Sequence, residues 1–190
     1  SDLPMTMHVG ESTEEDQMFR EGFGAMFDFL MEAGRDMNDC AGQSPLTNAQ
    51  RAGLLGERFV LVHGNYLDSH DITAIAKSKT NVVHCPRSHD YFRHKAFPAH
   101  DMKYSGVNLC LGTDSLVTMR DPESKLELFS EMRLFRDNNP GWSSSNIIEM
   151  VTINPAKALG MEGEIGCLNT GAKADLIALP FDTTINSVEE

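Results

Sequence analysis

Residues 59–86 read FVLVHGNYLDSHDITAIAKSKTNVVHCP. Two apolar runs, Phe59–Val62 and Asn81–Val83, flank a segment from Ser69 to Lys79 that places Ile72, Ile75 and Ala76 at helical spacing. Each run ends on a chemically capable side chain: His63 after the first, His84 with Cys85-Pro86 after the second. Runs without polar alternation suit strands covered on both faces, as in a parallel sheet. The stretch predicts a strand–helix–strand unit.

The same grammar extends in both directions. Upstream, Met5–Val9 leads to His8 and Glu11; downstream, Val107–Leu111 leads to Thr113-Asp114. Between the strands lie helical patterns. Glu14 to Glu32 carries Met18, Phe19, Phe23, Met26, Phe27 and Leu30 at helical spacing, with Ser12 or Thr13 as N-cap and Gly34 as stop. Asn38 to Gln50 reads as a loop entering a short helix, and Phe97 to Ser105 as a helix closed by Gly106. Glu123 to Asn138 is amphipathic through Leu126, Leu128, Phe129, Met132 and Phe135, and Asn146 to Leu159 is a further helix, interrupted or bent near Pro155. The order β-α-β-α-β-α-β-α predicts an α/β fold with a parallel sheet and right-handed crossovers.

After Gly160 short pieces with glycine turns follow, with a strand-like run at Asp175 to Leu179. We therefore expect one unit over 1–160 and the start of a second, β-rich one over 161–190. The chain opens at Ser1-Asp2-Leu3-Pro4 directly before a strand and closes on Val188-Glu189-Glu190 without a closing element. A fragment cut at both ends is the expectation.

Composition narrows the function classes. Of 190 residues, 41% are hydrophobic and 23% charged, which excludes intrinsic disorder. The net charge of −12 argues against sequence-independent binding to nucleic acid or anionic lipid. No apolar run approaches the roughly 20 residues that span a bilayer. The four cysteines, Cys40, Cys85, Cys110 and Cys167, are scattered without a CxxC pair, so a reduced, cytoplasmic setting is expected. Most of the eleven Met residues are expected to fill cores.

In a β/α barrel the chemistry sits at the C-terminal ends of the strands. His8, Glu11, His63, His84 and Asp114 would converge on one such rim. Each has a plainer alternative. Glu11 could favour the positive end of the next helix. His63 could bond a backbone carbonyl, and Asp114 could cap a loop. A carboxylate buried at a strand end is costly without a cation, which favours a metal at Asp114. His70, His94 and His100 read as non-catalytic, although His94 could approach the pocket. Cys85 reads as a small buried residue.

Five segments carry a family resemblance: His8-Val9-Gly10-Glu11-Ser12, Val62-His63-Gly64, His84-Cys85-Pro86-Arg87-Ser88, Leu111-Gly112-Thr113-Asp114-Ser115, and Asn154 through Gly160. With the tail Gly166 to Leu176, their ordered set resembles the amidohydrolase superfamily. The closest branch holds the S-adenosylhomocysteine, methylthioadenosine and aminodeoxyfutalosine deaminases and the triazine chlorohydrolases.

The resemblance implies the C-terminal half of a TIM-like (β/α)8 barrel, strands five to eight, followed by the start of a small β-sandwich domain. It implies one divalent metal, zinc before iron or manganese, with His8 and Asp114 as ligands. Asp114 would also be a general base, Glu11 a proton shuttle to a substrate ring nitrogen, and His63 an orienting or polarising group. His84, Arg87 and Ser88 would bind substrate. The implied reaction is hydrolytic deamination of an adenine-type nucleoside or related aminated heterocycle. Chlorohydrolysis, amide hydrolysis and a non-catalytic half-barrel are the alternatives.

Two departures stand out. His89 replaces the family's usual Asn, and the His-x-His pair that supplies two further metal ligands is absent from the sequence. The partner expected is a small-molecule substrate, with no nucleic acid and no membrane. The open half-barrel edge also favours association, as a homodimer or with another chain.

Overall fold

The computed structural model describes residues 3–120, 123 and 125–179. Its strands are β1 (Met5–Val9), β2 (Phe59–His63), β3 (Asn81–His84) and β4 (Asn108–Leu111). They form one parallel sheet in the order β1-β2-β3-β4. Between β1 and β2 lie α1 (Thr13–Glu21), α2 (Ala25–Glu32) and α3 (Pro45–Arg51). The helix α4 (Ser69–Ser78) joins β2 to β3, and α5 (Pro86–Phe92) with α6 (Ala99–Tyr104) joins β3 to β4. A 3₁₀ turn at Leu116–Thr118, α7 (Leu128–Asn138), α8 (Ser144–Glu149) and α9 (Ile153–Ala158) follow. The α/β class with parallel strands is as expected.

The two faces of the sheet differ. Val9, Phe59, Leu61, Val82, Leu109 and Leu111 belong to the core shared with Ile72, Ile75, Met102, Phe135 and Met150 from the helices. Alternation along the strands sends Thr6, His8, Val60, Val62 and Val83 to the other face. These five residues are exposed or half-buried. The expectation that every strand is covered on both faces therefore fails for β1. It is an edge strand, and Met5 and Met7 remain 44% and 41% exposed. Met18, Met102 and Met150 are buried as core fillers, whereas Met31 is exposed.

Local chemistry explains the element boundaries. The expected helix over Glu14–Glu32 breaks into α1 and α2, because Gly22 closes α1 in the left-handed region at φ 72°. A side chain at Gly22 would also meet Ala41 Cβ at 2.7 Å. Helix α5 was not expected; Pro86 at its first turn lacks the N–H that a helix start leaves unpaired. Helix α7 begins at Leu128, leaving Leu126, Leu128 and Phe129 exposed and Phe135 buried. The expected helix over Asn146–Leu159 is interrupted rather than bent, as α8 and α9, with Pro155 in the first turn of α9.

At the opposite end of the sheet from the site, asparagines tie three segments. Asn108 Nδ2 donates to Asn81 Oδ1 and to the Asn154 carbonyl, and Asn154 Nδ2 donates to the Leu109 carbonyl. Residues 161–179 carry one isolated bridge, Glu162 to Ile165, and turns. The expected strand at Asp175–Leu179 is absent there. Leu176, Ile177 and Leu179 are exposed, and a strand without a neighbour does not hold. The rest of the expected β-rich unit, 180–190, lies outside the described residues.

Gly112 follows β4 where it presses on β3. A Cβ there would sit 2.8 Å from Val83 Cγ1 and 3.3 Å from Cys85 Sγ. Gly112→Ala is expected to destabilise the fold by about 1–3 kcal/mol through overpacking. A denaturation midpoint equal to wild type would contradict that packing.

Candidate active site

The register of β1 and β2 sets Val9 opposite His63 and His8 opposite Val62. The His8 and His63 rings consequently lie 5.2 Å apart. The chain then turns at Gly10, at φ 63°, and brings Glu11 over the end of β2. Glu11 Oε1 stands 3.4 Å from His63 Nε2. His63 is 3% exposed, and burial pushes its imidazole down to about 4, with Asp114 opposing and His8 reinforcing that shift. It is therefore neutral near pH 7. Asp114, after β4, acts electrostatically on both His63 and Cys85. Four of the expected residues, His8, Glu11, His63 and Asp114, thus gather at one end of the sheet.

Two of them sit in a costly backbone conformation. His63 has φ 74° and Asp114 φ 54°, the left-handed region that costs a side-chain-bearing residue roughly 1–2 kcal/mol. The turn re-aims each side chain at the strand end. Asp114 is exposed, unlike the buried carboxylate expected from sequence, because it lies at the open face. Ser115, not Asp114, caps the following 3₁₀ turn.

Glu11 is not the N-cap of α1. Ser12 Oγ accepts from the Glu15 N–H as N-cap of α1. The Glu15 carboxylate accepts from the N–H groups of Gly10 and Glu11, at 3.0 and 2.8 Å. Asn65 Nδ2 donates to the Glu11 carbonyl, and Asn65 Oδ1 faces His89 Nδ1 at 3.0 Å. Glu15 and Asn65 went unnoticed in the sequence. The signal for Glu15 was the Ser-x-x-Glu spacing of a capping box directly after a strand end.

His84, Arg87 and Ser88 were expected to line the pocket. His84 shares the helix-covered face with Val82, stacks on Phe97 at 3.8 Å and approaches Phe135. Burial holds its pKa well below the usual histidine range. It lines a cavity of about 370 Å³ with His89, His94, Phe97, Phe135 and Asn139, which His8, Glu11, His63 and Asp114 do not line. Arg87 turns to α7, where its Nε donates to the fully buried Glu131 at 2.6 Å and its backbone N–H to the same carboxylate at 2.9 Å. Ser88 is buried on α5. For His84 the physical reason is alternation, which sets it on the same side of β3 as core residue Val82, whereas Arg87 and Ser88 are placed by α5. His94 meets Tyr66 Oη at 3.3 Å, beside this group. Burial lifts the Cys85 thiol to about 12, which removes it as a nucleophile.

A metal finds part of its shell here. His8 and Asp114 offer an imidazole and a carboxylate, both suited to zinc. Among the described residues no group of three metal-binding side chains is close enough to hold an ion. A catalytic zinc takes three protein ligands. The donor types fit and the donor number does not.

Two predictions follow from burial. Above pH 6.5, His63 and His89 are neutral in both folded and unfolded chains. As pH falls from 6.5 toward about 4, the unfolded chain takes up protons that the folded one refuses, so stability falls. By pH 5 the loss is about 2 kcal/mol for a fully buried histidine and about half that for half-buried His89. Melting at pH 7.5 and 5.0 measures it, and His89→Gln should flatten the slope. Arg87→Ala should cost about 3–5 kcal/mol, because it strands Glu131 as a buried, unpaired carboxylate. An unchanged melting temperature in that variant would contradict the structural role of Arg87.

Comparison with known proteins accords with this arrangement. Residues 1–189 match the model of the amidohydrolase family. The 5-methylthioadenosine/S-adenosylhomocysteine deaminase of Saccharophagus degradans is 35% identical over 162 residues, which are 80% of this chain and 35% of that protein. The 5'-deoxyadenosine deaminase of Methanoregula boonei is 33% identical over 169 residues, 83% of this chain and 37% of that protein. An adenosine deaminase from Xanthomonas campestris, solved with bound zinc, superimposes with a TM-score of 0.73 at 27% identity, covering 92% of this chain and 36% of that one. The zinc complex of atrazine chlorohydrolase from Arthrobacter aurescens TC1 gives 0.68 at 19% identity, covering 91% and 35%, a likeness of fold alone. The chain spans about a third of the length of these proteins. Matched along nearly its whole length, the chain belongs to the amidohydrolase family.

Proposed function

We propose that this chain supplies strands five to eight of a β/α barrel in a metal-dependent deaminase acting on an adenine-type nucleoside or a related aminated heterocycle. The observation that carries this reading is the Glu11 carboxylate 3.4 Å from a buried, neutral His63, beside His8 and Asp114. The deaminase names of the relatives support the substrate class. The zinc in the Xanthomonas campestris deaminase supports the metal.

In this reading His8 and Asp114 would hold the metal, zinc before iron or manganese, with the remaining ligands from outside the described residues. When bound, such a metal lowers the pKa of water toward about 7. Asp114 accepts a proton from the attacking water. Glu11 delivers a proton to the ring nitrogen next to the attacked carbon. Neutral His63 donates a hydrogen bond that holds the substrate or polarises that carbon. Water adds to the ring carbon, the proton held by Asp114 passes to the amine, which departs as ammonia, and the hydroxyl proton returns to Glu11 as the ring keeps the oxygen. Positioned proton transfer of this kind contributes about 10²–10⁴-fold in rate.

The setting is consistent with a reducing compartment such as the cytoplasm, since Cys40, Cys85, Cys110 and Cys167 are free thiols. No helix among the described residues is long and apolar enough to cross a membrane. The open edge of β1, with Leu3, Met5 and Met7 exposed, would be covered by further barrel strands or by a second copy.

In the intact enzyme, Glu11→Gln and Asp114→Asn should each lower ammonia release from adenine nucleosides by at least about a hundredfold, with the fold retained. Full activity in either variant would overturn these roles. Release of chloride or of a new carboxylate, without ammonia, would move the reaction class to the alternatives on the same scaffold.

A further inference from the structure

The backbone that leaves β1 is paired without a gap as far as the Glu11 carbonyl. The Val9 carbonyl accepts from the Gly64 N–H and the Gly10 carbonyl from the Tyr66 N–H, both at 3.0 Å. The Gly10 and Glu11 N–H groups donate to the two oxygens of Glu15, and the Glu11 carbonyl accepts from Asn65 Nδ2. Every polar backbone atom from the Val9 carbonyl to the Glu11 carbonyl has a partner. The donors on one side come from the turn that follows His63. The acceptors on the other side come from one carboxylate.

That carboxylate does more than cap a helix. In a capping box the acidic residue three places after the N-cap reaches back to the N-cap's own N–H. Here the N-cap is Ser12, and Glu15 reaches past it to Gly10 and Glu11. The bidentate grip holds the N–H of Glu11, whose side chain faces His63, and that of Gly10 before it. Gly10 makes the approach possible: its φ of 63° turns both N–H groups toward α1, and a side chain there would press on Leu67 at 3.3 Å. Asn65 completes the hold from the turn after β2, and its side-chain oxygen engages His89.

We propose that Glu15 and Asn65 are positioning residues that fix the Glu11 carboxylate against the His63 ring by clamping the backbone of residues 9–11 from both sides. The proposal rests on the role given to Glu11 above. Neither residue touches the reacting atoms. Each acts through the Glu11 backbone, and a displacement of about 1 Å at a proton-transfer group suffices for a large loss of rate.

A double-mutant cycle in the intact enzyme tests this. Glu15→Gln keeps one acceptor oxygen and sets an NH₂ against the second N–H. It should lower kcat on the order of tenfold with KM within about twofold. In a Glu11→Gln background the same change should cost less than about twofold, because no carboxylate is left to position. Asn65→Asp, which removes the donor to the Glu11 carbonyl and keeps an acceptor for His89, should behave alike. An equal loss in both backgrounds, or no loss in either, overturns the proposal. Hydrogen–deuterium exchange at Gly10 and Glu11 provides a readout independent of activity. Protection there should drop on the order of tenfold in Glu15→Gln and stay unchanged in the surface control Glu14→Gln. Should the wild-type enzyme deaminate no adenine nucleoside, the functional reading fails. The exchange experiment then decides the clamp alone: retained protection in Glu15→Gln overturns it.

Discussion

The parallel register of four short strands is the constraint on which the rest of the molecule depends. Because every strand runs the same way, every strand ends on the same side. Val9 stands opposite His63, and His84 opposite Leu111. Residues more than a hundred positions apart in sequence, His8 and Asp114, therefore act on one imidazole. The helices return the chain each time and cover one face with a continuous apolar core. The other face stays open, and His8 belongs to it. A one-residue slip of β1 would send His8 into the helical layer and Val9 out of it.

Around that end the fold concentrates its expensive features. His63 and Asp114 adopt left-handed backbone conformations, and His63 is buried without a charge. Such strain persists only where surrounding structure over-determines it. Part of that structure is Glu131. Fully buried, it grips both the backbone and the side chain of Arg87 and so fixes the start of α5, directly after β3. Burial favours the neutral form of Glu131, and the Arg87 hydrogen bonds oppose that shift. The other part is the pairing of residues 9–11. The site is thus held by polar groups at the strand ends and by apolar packing behind them.

Much of this was legible in the sequence, for definite reasons. The apolar runs before His63 and His84 announce strands because no polar residue interrupts their valines and leucines, and the run before Asp114 does so with Asn108 as its one polar residue. The ends of those runs are where a parallel sheet puts chemistry. What was illegible depended on direction and distance. His84 reads like His63, and both stand in register with core residues, yet only His63 takes the left-handed backbone, and His84 stays in the core, stacked on Phe97. Arg87 looks available to a substrate until α7 brings Glu131 against it from 44 residues away. The break between α1 and α2 was hidden because apolar periodicity runs through Gly22 and Gly24. Glu15 was hidden among the three acidic residues of the first turn of α1, which all suit a helix N-terminus equally.

In the function proposed, His8 and Asp114 face one shared metal position at the open end of the sheet. X-ray diffraction from the intact enzyme, collected on both sides of the zinc absorption edge, would locate that metal. One anomalous peak is expected at about 2.0–2.2 Å from both a His8 ring nitrogen and an Asp114 carboxylate oxygen. A peak coordinated instead by His84, His89 or His94, or no peak in catalytically active crystals, would contradict it.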